Sequence, residues 1–144
     1  MNIIQMMIPK PLTFFLHESN TVRQGLETFR HHGYTAVPVL DESERYVGCV
    51  TEGDFLRLMM RCGTTDLKTY ETHTIAEIVR KDFLPALQIN AAPCEVLEAI
   101  LNHNFVPIVD DRDTLSGILT RKSVIEWLAD RYEKAEQLER EKLS

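Results

Sequence analysis

The chain has 144 residues, 44% hydrophobic and 26% charged, which is the composition of a globular domain and excludes a disordered or membrane-embedded chain. A net charge of −6 argues against a nucleic-acid-binding surface, because phosphate contacts need a basic face. A chain of this length buries roughly 70% of its unfolded surface and holds a core without disulfides or metals.

The apolar start "MNIIQMMIP" is broken by proline and lysine too early to span a bilayer, and it lacks the basic lead and cleavage site of a signal peptide. Leu12–Leu16 is expected as a strand. Thr21–His31 carries Val22, Leu26 and Phe29 at helical spacing. "VPVLD" and "RYVGCV" are strands around the polar turn "DESE", and Thr51–Arg61 closes the segment as a helix. The connector "GTTDLKTYETHT" is polar and turn-rich, and "IAEIV" is a short helix after it. Leu84–Ile89 (strand), Ala92–Asn102 (helix), "VPIVD" and "TLSGILT" (strands) and Arg121–Asp130 (helix) then run in the same order as before.

The second series is a repeat of the first. "VPVLDESERYVGCVTEGDFLRLM" superposes on "VPIVDDRDTLSGILTRKSVIEWL" without a gap at an offset of 69, pairing Pro38 with Pro107, Gly48 with Gly117 and Thr51 with Thr120. Upstream, "GLETFRHHGYTAVP" matches "VLEAILNHNFVP" if the second copy lacks two residues after Phe105. The division is therefore residues 1–63, a linker 64–74, a second copy 75–131, and a charged helical tail 132–144. Two α/β (α+β) units of β-α-β-β-α order are expected to share a core about a pseudo-twofold axis. In the tail, Tyr132, Ala135 and Leu138 form either a thin stripe for self-association or part of a frayed end, and Glu136 with Arg140 fits a solvated helix.

These motifs, twice in order and at the right spacing, resemble the CBS-domain family, in particular the tandem pair called a Bateman module. Within it, "HHGYTAVPVLD", "NHNFVPIV" and "GILTRKSV" look most like the small pairs that bind cyclic di-AMP. The resemblance implies a regulatory adenine-nucleotide ligand, cyclic di-AMP or else AMP, ADP or ATP. It also implies a homodimer and a cytosolic partner protein, with a stringent-response enzyme suggested by the subgroup. A constitutive dimerisation or interaction module without a ligand is the other reading.

By resemblance, Thr51 and Asp54 grip the nucleotide, Asp54 through the ribose hydroxyls. An ionised carboxylate only accepts hydrogen bonds, which suits a vicinal diol, and Thr51 with the free N–H groups of a helix start suits a phosphate. The plainer reading makes Thr51 a helix cap and Asp54 a carboxylate at the favourable end of the dipole. The segment Gly33, Tyr34, Thr35, Ala36, Val37 and Pro38 would read and sandwich the base, although Tyr34, Val37 and Pro38 also suit core and turn positions. In the second copy the quartet is Thr120, Arg121, Lys122 and Ser123, without the acid. Arg121 and Lys122 place two cations at the unfavourable end of a helix dipole, which an anionic ligand would relieve, or else form an exposed basic turn. His103, Phe105 and Val106 occupy the second base-reading segment.

The five histidines give no metal site, and no Ser, Cys or Thr has a His and an acid at local spacing, so neither a metal nor catalysis is expected. Three scattered cysteines, Cys49, Cys62 and Cys94, read as reduced thiols of a cytoplasmic protein.

Overall fold

A computed structural model describes residues 1–32 and 35–144. Seven strands and five α-helices are described: α1 (Ile3–Met6), β1 (Ile8–Pro9), β2 (Leu16–His17), α2 (Val22–His32), β3 (Ala36–Leu40), β4 (Tyr46–Thr51), α3 (Glu52–Cys62), β5 (Leu87–Gln88), α4 (Pro93–Asn102), β6 (Phe105–Val109), β7 (Leu115–Thr120) and α5 (Arg121–Leu143). Short 3-10 turns at Lys10–Leu12, Leu67–Glu71 and Ile75–Glu77 fill the connections. The strand expected over Leu12–Leu16 is thus shorter and later, because proline at positions 9 and 11 breaks the run before it. The closing helix of the second copy does not stop at Asp130: the tail continues it to Leu143 as an exposed extension.

The continuous apolar runs "AVPVL" and "YVGCV" bury β3 and β4 on both faces; the two pair antiparallel, and β2 adds parallel to β3. The second sheet repeats this with β5 parallel to β6 and β6 antiparallel to β7. Even the irregularities match: the register shifts at Val39/Leu40 and at Ile108/Val109. Asp41 and Asp110 each fold a hairpin turn by accepting two backbone N–H groups. Glu44 and Asp113, both at φ +64°, complete these turns. The turns bond to one another, Tyr46 N to Asp113 O at 2.9 Å and Leu115 N to Glu44 O at 3.2 Å, a reciprocal contact across the pseudo-twofold axis.

The lead-in segments are exchanged between the halves. β1 pairs with β7 of the second copy, Ile8 opposite Ile118, while Arg80 pairs with Cys49 of the first. This exchange explains the repeated glycines. A Cβ on Gly48 would overlap the Arg80 carbonyl, and one on Gly117 the Ile8 carbonyl. The backbone passes so close at both positions that only glycine fits.

Two hydrophobic clusters form instead of the single shared core expected. The first holds Leu16, Val22, Phe29, Val37, Val50, Phe55 and Leu58 together with Tyr70, Ile75 and Ile78 from the connector and second lead-in. The second holds Val96, Ile100, Val106, Ile108, Leu119 and Val124 with Ile3 from the first lead-in. The halves are tied by the exchanged lead-ins and by the reciprocal bonds between the hairpin turns.

Candidate functional site

Thr51 ends β4 and precedes α3, so Asp54 falls in the first helical turn, where acidic groups complement the dipole. Asp54 is 5% exposed, the one buried charged residue of the described core. Its Oδ2 accepts the Thr51 N–H at 2.7 Å and the Thr51 hydroxyl at 2.9 Å. Its Oδ1 accepts Arg57 Nη2 at 2.6 Å and lies 3.1 Å from Arg80 Nε. Arg80 also donates from Nη2 to the Thr51 hydroxyl oxygen at 3.2 Å. Burial raises the Asp54 carboxyl, but the Thr51 N–H, Arg57, the Thr51 hydroxyl and the Arg80 charge outweigh it, and the group is held below its usual range.

A crevice of about 440 Å³ opens on this carboxylate, lined by Asp54, Arg57, Met60, Arg61, Glu77, Ile78 and Arg80. Three guanidinium groups and the Glu77 carboxylate line it, and two of the guanidinium groups, those of Arg57 and Arg80, bond the buried acid. Arg80 comes from the exchanged lead-in, and its guanidinium stacks 3.9 Å over the Phe83 ring. Phe83 in turn meets His103 edge-on at 5.4 Å. Sequence reasoning missed Arg80, since nothing local to "EIVRKD" brings it to Thr51. The signal was Gly48, whose lack of a side chain marks a crossing strand.

The residues expected to read the base stand, where described, in a second crevice. Thr35, Ala36, Val37 and Pro38 line a 250 Å³ cavity with Phe105, Asn104, Ile118 and Thr120, and Ile8, Leu12, Thr13 and Phe14 form its outer wall. Gly33 and Tyr34 lie outside the described residues. Val106 is buried in the second core and lines neither crevice. The expected single site is therefore divided: Asp54 faces residues of the second lead-in, and Thr35–Pro38 face Thr120 of the second copy. The two crevices are not counterparts under the repeat: Thr35 and Ala36 line the second together with their own equivalents Asn104 and Phe105, and Ser123, the equivalent of Asp54, lines neither. Ile8 stands against β7 where Arg80 stands against β4, and Ser123 stands where Asp54 does. The first crevice is ionic and the second mostly apolar.

The offset of 69 extends back to Thr35 and Asn104, whose carbonyls accept the Glu52 and Arg121 N–H groups respectively. Phe105 is hence the counterpart of Ala36, and the two missing residues fall before Asn104, not after Phe105. Arg121 takes a structural post: its Nε donates to Ile100 O at 2.8 Å. That carbonyl is one of the unpaired C=O groups ending α4, where a cation is favoured, so no anionic ligand is needed to relieve the charge. Lys122 is exposed, and neither residue lines a crevice. Thr120 accepts the Ser123 N–H at 3.1 Å and shares a 2.9 Å contact with the Ser123 hydroxyl.

Among the described residues, no group of three or more His, Cys, Asp or Glu could hold a metal ion, and no helix is long and apolar enough to cross a membrane. The family model described as CBS domain matches residues 3–61 and 75–130. Cyclic di-AMP receptor B of Bacillus subtilis is 27% identical over 124 residues, covering 86% of this chain and 84% of the relative. A crystal structure of CbpB in complex with c-di-AMP has a TM-score of 0.84 at 18% identity, over 95% of this chain and 90% of that one. One of CBSX2 in complex with AMP has a TM-score of 0.71 at 23% identity, over 91% and 98%. These structural likenesses concern the fold.

Proposed function

The chain belongs to the CBS-domain family, and from that premise we propose that it is a regulatory protein that senses an adenine nucleotide, with cyclic di-AMP as its ligand. The observation that carries this reading is the buried Asp54 carboxylate at the floor of a crevice walled by Arg57, Arg61 and Arg80. A carboxylate is an acceptor for a ribose diol, and guanidinium groups are forks for phosphate oxygens. Both lie in one cavity of nucleoside-phosphate size, within the roughly 300–1,000 Å³ of small-molecule sites. The B. subtilis relative is a cyclic di-AMP receptor by name, which supports that choice of ligand.

In the free chain the acceptor positions of Asp54 are filled by Thr51, Arg57 and Arg80. Ribose hydroxyls take the place of Arg80, whose contacts of 3.1 and 3.3 Å are the longest, and the freed guanidinium turns to a phosphate. Because Arg80 belongs to the exchanged lead-in, its release alters how the two halves are tied. Bound and free forms then present different surfaces to a partner protein, by as much as the ligand's affinity differs between them. The apolar crevice at Thr35–Pro38 and Phe105 receives a second base.

AMP, ADP or ATP is the second reading, favoured by the inequality of the crevices: only one has an acid for a ribose. Calorimetric titration with all four nucleotides decides between them. Binding of one of them, weakened about 10- to 100-fold by Asp54→Asn for the loss of a charge-assisted hydrogen bond, is expected. Equal affinity in Asp54→Asn, or no binding by any of the four, overturns the proposal.

A further inference from the structure

Cys62, His73 and Glu77 form a line of contacts that the nucleotide reading leaves unused. Cys62 is the last residue of α3 and packs half-buried against the first core. Its Sγ lies 3.8 Å from Nε2 of His73, and Nδ1 of the same ring lies 3.0 Å from Oε1 of Glu77. Oε2 of Glu77 accepts the Thr74 N–H at 2.5 Å. That N–H, followed by His73, holds the Glu77 carboxyl below its usual range, so it is an acceptor at neutral pH. An acceptor fixed on Nδ1 makes that nitrogen the protonated one and turns the Nε2 lone pair towards the thiol.

The ring is carried on an anchored segment. His73 O accepts the Val22 N–H at 2.8 Å, Thr74 bridges to Thr21, and Tyr70 beside it is fully buried. The C-terminal end of α3 favours a cation and disfavours an isolated thiolate. Reactivity at Cys62 therefore depends on the imidazole taking the proton and remaining as the counter-charge. A nucleophile within reach of a base, with the base oriented by a third group, is the arrangement of an activated thiol. The other two thiols differ: Cys49 is fully buried, which pushes its thiol up to about 12, and Cys94 is exposed at the start of α4.

We propose that Cys62 is a modification site, a thiol activated by His73 that exchanges with low-molecular-weight disulfides. The Sγ proton passes to Nε2, and the thiolate attacks one sulfur of the disulfide. A new S–S bond forms at Cys62 as the reagent's bond breaks, and the departing thiolate takes the proton back from Nε2. Cys62 ends oxidised as a mixed disulfide and half of the reagent ends reduced as a thiol. Glu77 also lines the Asp54 crevice, so the adduct lies one side chain from it. The chemistry itself does not require a nucleotide.

The test uses the full chain with 2-hydroxyethyl disulfide, following the Cys62 adduct by peptide mass spectrometry in native buffer and in urea-unfolded protein. A thiol that folding merely half-buries reacts more slowly when folded. Activation predicts the reverse, a folded rate about tenfold above the unfolded one. His73→Gln is expected to bring the folded rate below the unfolded rate, and Glu77→Gln to an intermediate value. A folded rate below the unfolded one in the wild type, or no change in a folded His73→Gln, overturns the proposal. Should His73→Gln fail to fold by circular dichroism, the wild-type ratio decides alone.

Discussion

Gly48→Ala tests the exchange of lead-ins. The added Cβ would stand 2.9 Å from the Arg80 carbonyl carbon and closer still to its oxygen, both backbone atoms with no rotamer to turn away. Either the lead-in shifts or the hairpin does, and overpacking of this kind costs about 1–3 kcal/mol. Shifting also breaks Cys49 N to Arg80 O at 3.1 Å and Arg80 N to Cys49 O at 2.9 Å. Each of these contributes about 1 kcal/mol. The smaller entropy of an unfolded alanine offsets about 0.4–1 kcal/mol. A net loss of about 2–4.5 kcal/mol in urea unfolding is expected, and the Arg80 amide should lose hydrogen-exchange protection. Gly53→Ala is the control: its Cβ meets only the flexible end of Arg57, at 3.2 Å, and a helical site gains from alanine. If Gly48→Ala unfolds within about 0.5 kcal/mol of wild type with Arg80 still protected, the exchanged pairing is refuted.

Three further outcomes follow from individual contacts. The Asp54 carboxyl is depressed below 3.8 in the folded chain, so its stabilisation is complete above that value and disappears as pH falls through the folded value. Acid titrations of unfolding should thus be steeper below about pH 4 in wild type than in Asp54→Asn, and identical slopes would deny the folded network. Tyr46→Phe removes the 2.6 Å bond to Leu84 O and should cost about 1–2 kcal/mol in urea unfolding. Arg121→Ala should cost about 1 kcal/mol through the lost contact with Ile100 O while leaving nucleotide affinity unchanged by calorimetry.

The repeat was legible because the same chemistry is needed twice: aspartates to fold the hairpin turns, glycines beneath the crossing backbone, and threonines at the helix starts. Asp54 was legible as a candidate because its helix-start position is local. What stayed hidden depends on distant pairing. Arg80 reaches Asp54 only because the second lead-in crosses to β4, and the division of the site in two follows from the same exchange. Cys62 and His73 belong to a helix end and a polar connector, and their meeting follows from the packing of Tyr70 and Ile75 into the first core. Arg121 looked like a phosphate ligand because its own helix disfavours it. The end of α4, which favours it, is remote in sequence.

The role of Asp54 is tested most directly by a crystal structure of this chain grown with cyclic di-AMP. Ribose hydroxyl oxygens should lie roughly 2.5–3.0 Å from the Asp54 carboxylate, with the Arg80 guanidinium turned from it onto a phosphate oxygen. A nucleotide bound away from this crevice, or one bound within it while Asp54 and Arg80 remain paired, would contradict the proposal.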